Sequence, residues 1–233
     1  MACLFQMVLP CKPSRGPALR TIRSLRIQCR YDRITASCMN YFKANVISSI
    51  FNSEFQEPRM KIIKKSRIDT PRLTLKPYEP QDRERLAELL MNEEITKTFM
   101  VPDYPAREQY LELADKLISF SQPEDEVHLE CGIFLGSRLI GFINDCGIED
   151  SAIEIGYVIH PEYQKHGYAS EAVNAVIHEL WDMGFQRITA GFFEENEASR
   201  RVMEKCGMTP VDEEDFEEYR GVLHRCLFCE IRR

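Results

Sequence analysis

Residues 153–170 read Ile153-Glu154-Ile155-Gly156-Tyr157-Val158-Ile159-His160-Pro161-Glu162-Tyr163-Gln164-Lys165-His166-Gly167-Tyr168-Ala169-Ser170. The first seven residues have the apolar, β-branched character of a buried strand. A tight loop containing Gln164 to Ala169 follows, and then a long helix predicted over Tyr168–Met183. The helix carries an apolar stripe at Ala169, Ala172, Val173, Val176, Ile177 and Leu180, which would hold its start against a sheet. A glycine-bearing loop that opens a helix presents several backbone N–H groups beside the positive end of the helix dipole, an arrangement that binds phosphate without any particular side chain. Gly167 permits close backbone approach, and Ala169 is too small to cover an anion. An ordinary N-terminal turn has the same appearance, so the loop alone does not decide between the two.

Working outward, Arg72-Leu-Thr-Leu-Lys-Pro77 alternates like a strand, and Pro80-Gln-Asp-Arg83 starts an amphipathic helix with Leu86, Leu89 and Leu90 on one face. Ala106–Phe120 repeats the helical period. Strands are expected at His128–Leu135 and Arg138–Asp145, joined by the Gly136-Ser137 turn, and a third at Ala152–His160. Arg187–Phe193 reads as a strand and Ala198–Cys206 as a shorter helix. Two further strands are expected on either side of an acidic turn at Asp212–Glu218. The order implies a mixed α/β fold, with a mostly antiparallel central sheet of six to seven strands and flanking helices.

The 233 residues are 44% hydrophobic and 29% charged, with a net charge of −7 that is unevenly spread. Residues 1–59 hold nine Lys/Arg against three acids, and residues 60–233 hold 21 against 34. So acidic a body is a poor partner for nucleic acid, which needs clustered Lys and Arg, and suits a cationic substrate better. No window approaches the ~20 apolar residues of a membrane span, so no membrane partner is expected. Residues 1–59 are Arg- and Ser-rich and lack sustained periodicity. They read as a disordered or dispensable extension before a domain at 60–233, or alternatively as an organellar transit peptide on an otherwise cytoplasmic protein. Nine cysteines, an odd number, indicate reduced thiols. Cys226-x-x-Cys229 stands alone, and on a strand its two members would face opposite ways, so no metal site is expected.

Two segments together resemble the GNAT acetyltransferase superfamily. Gln164-x-x-Gly167-x-Ala169, after a strand ending at His160-Pro161, is similar to that family's acyl-CoA-binding motif. Asn196-Glu-Ala-Ser199 followed by Arg200–Met208 looks like its next motif, while Arg72–Pro77 and Leu139–Ile143 match its opening and middle strands. The resemblance covers about Ile68 to Arg233 and is nearest to the ribosomal-protein N-terminal acetyltransferases of the Rim type. It implies acetyl-CoA as co-substrate and no metal. The diphosphate would rest on the N–H groups of Lys165, His166, Gly167, Tyr168, Ala169 and Ser170, with Gln164 at the motif's first position. Pantetheine would insert beside the strand of Tyr157, Val158 and Ile159, and Asn196 would reach it. Asn196 and Ser199 also suit a helix N-cap.

The implied reaction moves acetyl from sulfur to a primary amine, the acceptor being a peptide N-terminus or a small amine. At pH 7 an α-amine, with a reference pKa of about 7.7–8.0, is mostly protonated, so a base is needed. Glu154 is the candidate, because Ile153 and Ile155 on the opposite face would meet the core. A backbone N–H near Tyr157–Val158 would receive the oxyanion. Many family members supply an acid from a tyrosine seven residues after the motif asparagine, but Met203 stands there and cannot donate a proton. Ser199 is the nearest substitute, and Cys206 a weaker one. Glu93, Glu94, Asp103, Tyr104 and Glu213–Glu218 would face a cationic acceptor. A non-enzymatic acetyl-CoA sensor stays open as an alternative, as does the choice between monomer and homodimer.

Overall fold

The computed structural model describes residues 60–233, so the expectations about residues 1–59 lie outside the described residues. The strands are β1 (Ile68–Asp69), β2 (Thr74–Lys76), β3 (Glu130–Leu135), β4 (Arg138–Glu149), β5 (Ala152–Ile159), β6 (Arg187–Phe193), β7 (Thr209–Tyr219) and β8 (Val222–Arg232). The helices are α1 (Arg83–Met91), α2 (Glu93–Thr96), α3 (Arg107–Ser121), α4 (Tyr168–Asp182) and α5 (Glu197–Lys205). One sheet takes the strands in the order β1-β2-β3-β4-β5-β6-β8-β7. Neighbours run antiparallel except β5 and β6, which are parallel because α4 carries the chain back across the sheet.

Eight strands replace the six to seven expected. The additional one, β1, is two residues long and pairs through Ile68↔Leu75 and Asp69↔Thr74, too short to leave an alternating pattern in the sequence. The acidic turn expected at Asp212–Glu218 is also corrected, since those residues lie inside β7. Their partners on β8 include Arg225, whose guanidinium bonds Glu214 and Glu194, while Arg187 of β6 pairs with Glu213. The real turn is Arg220-Gly221, with φ of 51° and 75°, the pair of left-handed residues that a two-residue hairpin requires. Gly136 serves the expected hairpin between β3 and β4 with φ 61°.

One sheet face packs on α4 and α5. Ile133, Ile143, Ile153, Ile155 and Ile188 meet Val173, Val176, Ile177 and Leu180 there, all fully or nearly fully buried. Burying each such side chain contributes about 1.5–3 kcal/mol before the entropy of ordering it is subtracted. Ile62 belongs to this core, and Lys64 donates to the carbonyl of Gln122 at the end of α3, so the folded unit includes residues 60–65. The other face carries α1 and α3, whose Leu86, Leu89, Leu90, Leu113 and Leu117 are buried. Cys226 and Cys229 fall into separate apolar clusters, as their spacing predicts, and the five described cysteines are free thiols.

Candidate active site

The site begins where β5 and β6 part. Their pairing runs only through Ala152↔Arg187, Ile153↔Ile188 and Glu154↔Thr189. Beyond that point residues 155–159 stay paired to β4 but diverge from β6, which pairs with β8 on its other edge. A cavity of about 440 Å³ occupies the divergence. At one end its wall is Gln164, Lys165, Gly167, Tyr168, Ala169 and Ser170; at the other it is Glu94, Thr98, Phe99 and Cys146. Residues Ile155 to Ile159 line the middle, with Gly191, Asn196 and Ser199 opposite. The cavity thus passes from one sheet face to the other.

Lys165 and Gly167 take φ of 66° and 83°, which turns the chain so that α4 starts directly beside the cavity. The first N–H groups of α4, on Tyr168, Ala169 and Ser170, have no carbonyl within the helix to bond. The Gln164 amide donates to the Ile159 carbonyl at 3.0 Å, bracing the loop against the end of β5. His166 stands outside the cavity wall, stacked on Tyr168 with its Nδ1 at 2.7 Å from the Gln164 carbonyl.

Asn196 caps α5, its side chain accepting from Ser199 N–H at 3.2 Å. The Tyr157 hydroxyl lies 2.8 Å from Ser199 Oγ and 2.9 Å from the Ser199 carbonyl. Burial pushes the Tyr157 phenol well above its ordinary pKa. Met203 is fully buried and belongs to the core, and Cys206, whose thiol burial pushes up to about 11, donates to the Ser170 carbonyl. Neither lines the cavity.

Glu154 stands beside the cavity rather than in its wall. It shares the sheet face of Gly191, and its Oε1 lies 3.2 Å from where a Cβ on Gly191 would sit. On the same face Glu217 has its pKa raised, first by burial and then by Asp215 and Glu154. Asn144 Oδ1 is buried without a hydrogen-bond partner among the described residues and lies 2.9 Å from the Cβ position of Gly156, behind the cavity wall that Gly156 helps to form. The acidic run thus divides: Glu213 and Glu214 are neutralised by Arg187 and Arg225, while Asp215 and Glu217 belong with Glu154. Of the other acceptor-side residues, Glu94 reaches the cavity, whereas Glu93, Asp103 and Tyr104 line a second one of about 820 Å³ with Arg220.

Sequence reasoning missed Asn144, Cys146, Thr98 and Phe99, which only the fold brings to the site. Arg201 and Lys205 also line the cavity. They were legible in principle, because Ala198, Arg201, Val202 and Lys205 follow the helical period.

The Acetyltransferase (GNAT) domain model matches residues 72–209. The uncharacterized N-acetyltransferase YoaA of Bacillus subtilis (strain 168) is 29% identical over 143 residues, covering 60% of this chain and 81% of that protein. A GNAT-family acetyltransferase from Bacillus anthracis superposes with a TM-score of 0.59 at 25% identity, covering 71% of this chain and 98% of that one. A ribosomal-protein-S5-alanine acetyltransferase of Vibrio fischeri shares the fold, with a TM-score of 0.61 at 17% identity over 72% and 97% of the two chains. The chain belongs to the GNAT acetyltransferases. It is an acetyl-CoA-dependent N-acetyltransferase.

Proposed function

We propose that residues 60–233 acetylate the α-amine of a protein or peptide N-terminus. The observation that carries this reading is the cavity through the sheet, which joins an amide-lined loop on one face to a carboxylate-bearing face on the other. The residues present fit coenzyme A. The first turn of α4 offers free N–H groups to a diphosphate, Arg201 and Lys205 add positive charge along the wall, and the unpaired edge of β5 offers backbone groups to the pantetheine amides.

On the acceptor side, Glu154, beside Gly191 of the cavity wall, takes the amine's proton. A backbone N–H at Tyr157 or Val158 holds the developing oxyanion. Ser199 then donates a hydrogen bond to the departing sulfur while Tyr157 holds its hydroxyl in place. Neither hydroxyl gives up its proton outright. A thiol has a reference pKa of about 8.5, whereas a serine hydroxyl is a far weaker acid and burial makes the Tyr157 phenol weaker than usual. The second cavity, beyond α2, gives room for residues that follow the amine, which a small amine would not use.

The test is the full-length chain with acetyl-CoA and a panel of tetrapeptides, amino-acid amides and polyamines, read by released thiol and product mass. Peptides acetylated on the α-amine are expected to exceed the small amines in kcat/KM by about tenfold or more, the return on about 1.4 kcal/mol of extra contact. A reversed preference would move the reading to a small-amine transferase. Thiol release at the background rate with every amine of the panel would favour the sensor.

For the hydroxyl pair, Ser199→Ala is expected to lower kcat by about 10–100-fold and Tyr157→Phe by about 3–10-fold. The double variant should be no worse than Ser199→Ala, because Tyr157 acts through Ser199. Additive losses in that cycle would show the two acting separately.

A further inference from the structure

The phosphate loop is held by a residue that never enters the cavity wall. Arg72, between β1 and β2, lies 94 positions before His166, yet its Nη1 donates to the His166 carbonyl at 2.8 Å. Its Nε and Nη2 bond Glu171 Oε2 at 2.7 and 2.6 Å, and its backbone N–H bonds Glu171 Oε1 at 2.9 Å. The guanidinium lies over the Tyr168 ring, 4.6 Å from its centroid. Thr70 Oγ donates to the same Glu171 carboxylate at 2.6 Å. One side chain therefore touches positions 166, 168 and 171, spanning the left-handed Gly167 and the opening turn of α4.

Two consequences follow. Lys165 holds a left-handed φ without being glycine, a conformation that persists only where its surroundings over-determine it. Arg72 supplies such a restraint from outside the loop. Glu171, moreover, is a carboxylate in the first turn of the helix meant to receive an anion. There it suits the helix dipole but repels a diphosphate. Burial alone would raise its pKa, but the bonds from Thr70 and Arg72 outweigh burial and hold it down, so it stays ionised. Its charge must be cancelled locally, and the bidentate guanidinium does so.

We propose that Arg72 is a positioning residue for acetyl-CoA: it fixes the phosphate loop from the β1–β2 corner and cancels the Glu171 charge, leaving the N-terminus of α4 open to the diphosphate. This rests on reading that loop as the coenzyme site.

Titration calorimetry of CoA with the full-length chain tests it, alongside hydrogen exchange of the coenzyme-free protein. Arg72→Ala is expected to weaken CoA binding by about 10–100-fold, the scale of charge-assisted hydrogen bonds. Exchange should quicken over residues 164–171 and stay unchanged in β3, β4 and β8. Arg72→Lys should not restore affinity, because an ammonium can neither fork between Glu171 and His166 nor stack on Tyr168. It carries the same test should Arg72→Ala fold poorly. Adding Glu171→Gln to Arg72→Ala should recover part of the loss by removing the bare carboxylate. Wild-type affinity in Arg72→Ala, or faster exchange throughout the sheet, would overturn the assignment. A wild-type chain that binds no CoA would instead overturn the coenzyme site itself, and this role with it.

Discussion

Replacing Glu154 with glutamine is expected to lower kcat/KM at pH 7 by about 10²–10⁴, the range in which a positioned general base contributes, while CoA affinity stays within about twofold. The expectation combines strand geometry with the state of the acceptor. Ile153 and Ile155 commit one face of β5 to the core, which turns Glu154 to the other face beside Gly191. Gly191 lines the cavity, so an amine attacking from the acceptor side approaches Glu154. An α-amine is mostly ammonium at pH 7, and something must take its proton. Above about pH 8 the free amine is the main species in solution, and the variant's deficit should shrink accordingly. A pH profile of kcat/KM for both proteins, measured with one tetrapeptide, checks both parts. Equal rates at pH 7 would remove Glu154 from the reaction. A deficit unchanged from pH 7 to 9.5 would place its action after attack, on the tetrahedral intermediate. Glutamine is close in size to glutamate, so the comparison isolates the charge.

How much of this was legible beforehand depends on distance along the chain. The strand, loop and helix of residues 153–182 were readable because periodicity and glycine placement are local signals, and Asn196 was readable as a cap because capping spans three residues. Cys226 and Cys229 were separable because side chains on a strand alternate. The errors arise where a distant partner overrides the local pattern. Asp212–Glu218 looks like a solvated turn until Arg225 and Arg187 are placed beside it, and then the same carboxylates form an edge strand. Met203 stands at the family's tyrosine position, but nothing local shows that Tyr157 brings a hydroxyl to the same helix from 42 residues away. Arg72 and Glu171 are 99 apart, so the brace on the loop at 164–167 was invisible until the β1–β2 corner was set against α4. The path of the backbone through strand, loop and helix was therefore readable, and the side chains that brace it were not.

The largest stability effect is expected from a single methyl group, in Gly141→Ala. Gly141 pairs with Ile159 at the end of the β4–β5 ladder, and a Cβ there would lie 2.0 Å from the Val158 carbonyl oxygen. Gly132 makes a useful contrast, since the nearest atoms its Cβ would meet are side-chain carbons of Phe134, Leu139 and Tyr78, at 2.6–2.9 Å. These buried side chains can give way by small shifts at a packing cost, so Gly132→Ala should cost about 1–3 kcal/mol, as overpacking usually does. A backbone oxygen moves only if the strand moves. Gly141→Ala is therefore expected to cost about 4 kcal/mol or more, a large part of the roughly 5–15 kcal/mol that holds a domain together. At this chain length that corresponds to a fall in melting temperature of about 8–16 °C. The damage also falls on the edge proposed to hold the coenzyme, because residues 155–159 have left β6 and depend on β4 for their pairing. CoA at about 100 times the wild-type Kd returns about 2.7 kcal/mol to a chain that binds it with wild-type affinity, and less to one that binds it more weakly. Gly132→Ala should recover that increment in full, whereas Gly141→Ala, with Val158 and Ile159 displaced, should recover less. Melting of Gly141→Ala within about 3 °C of the wild type would mean that β4 can shift without cost, and that residues 155–159 of β5 are not held by this pairing.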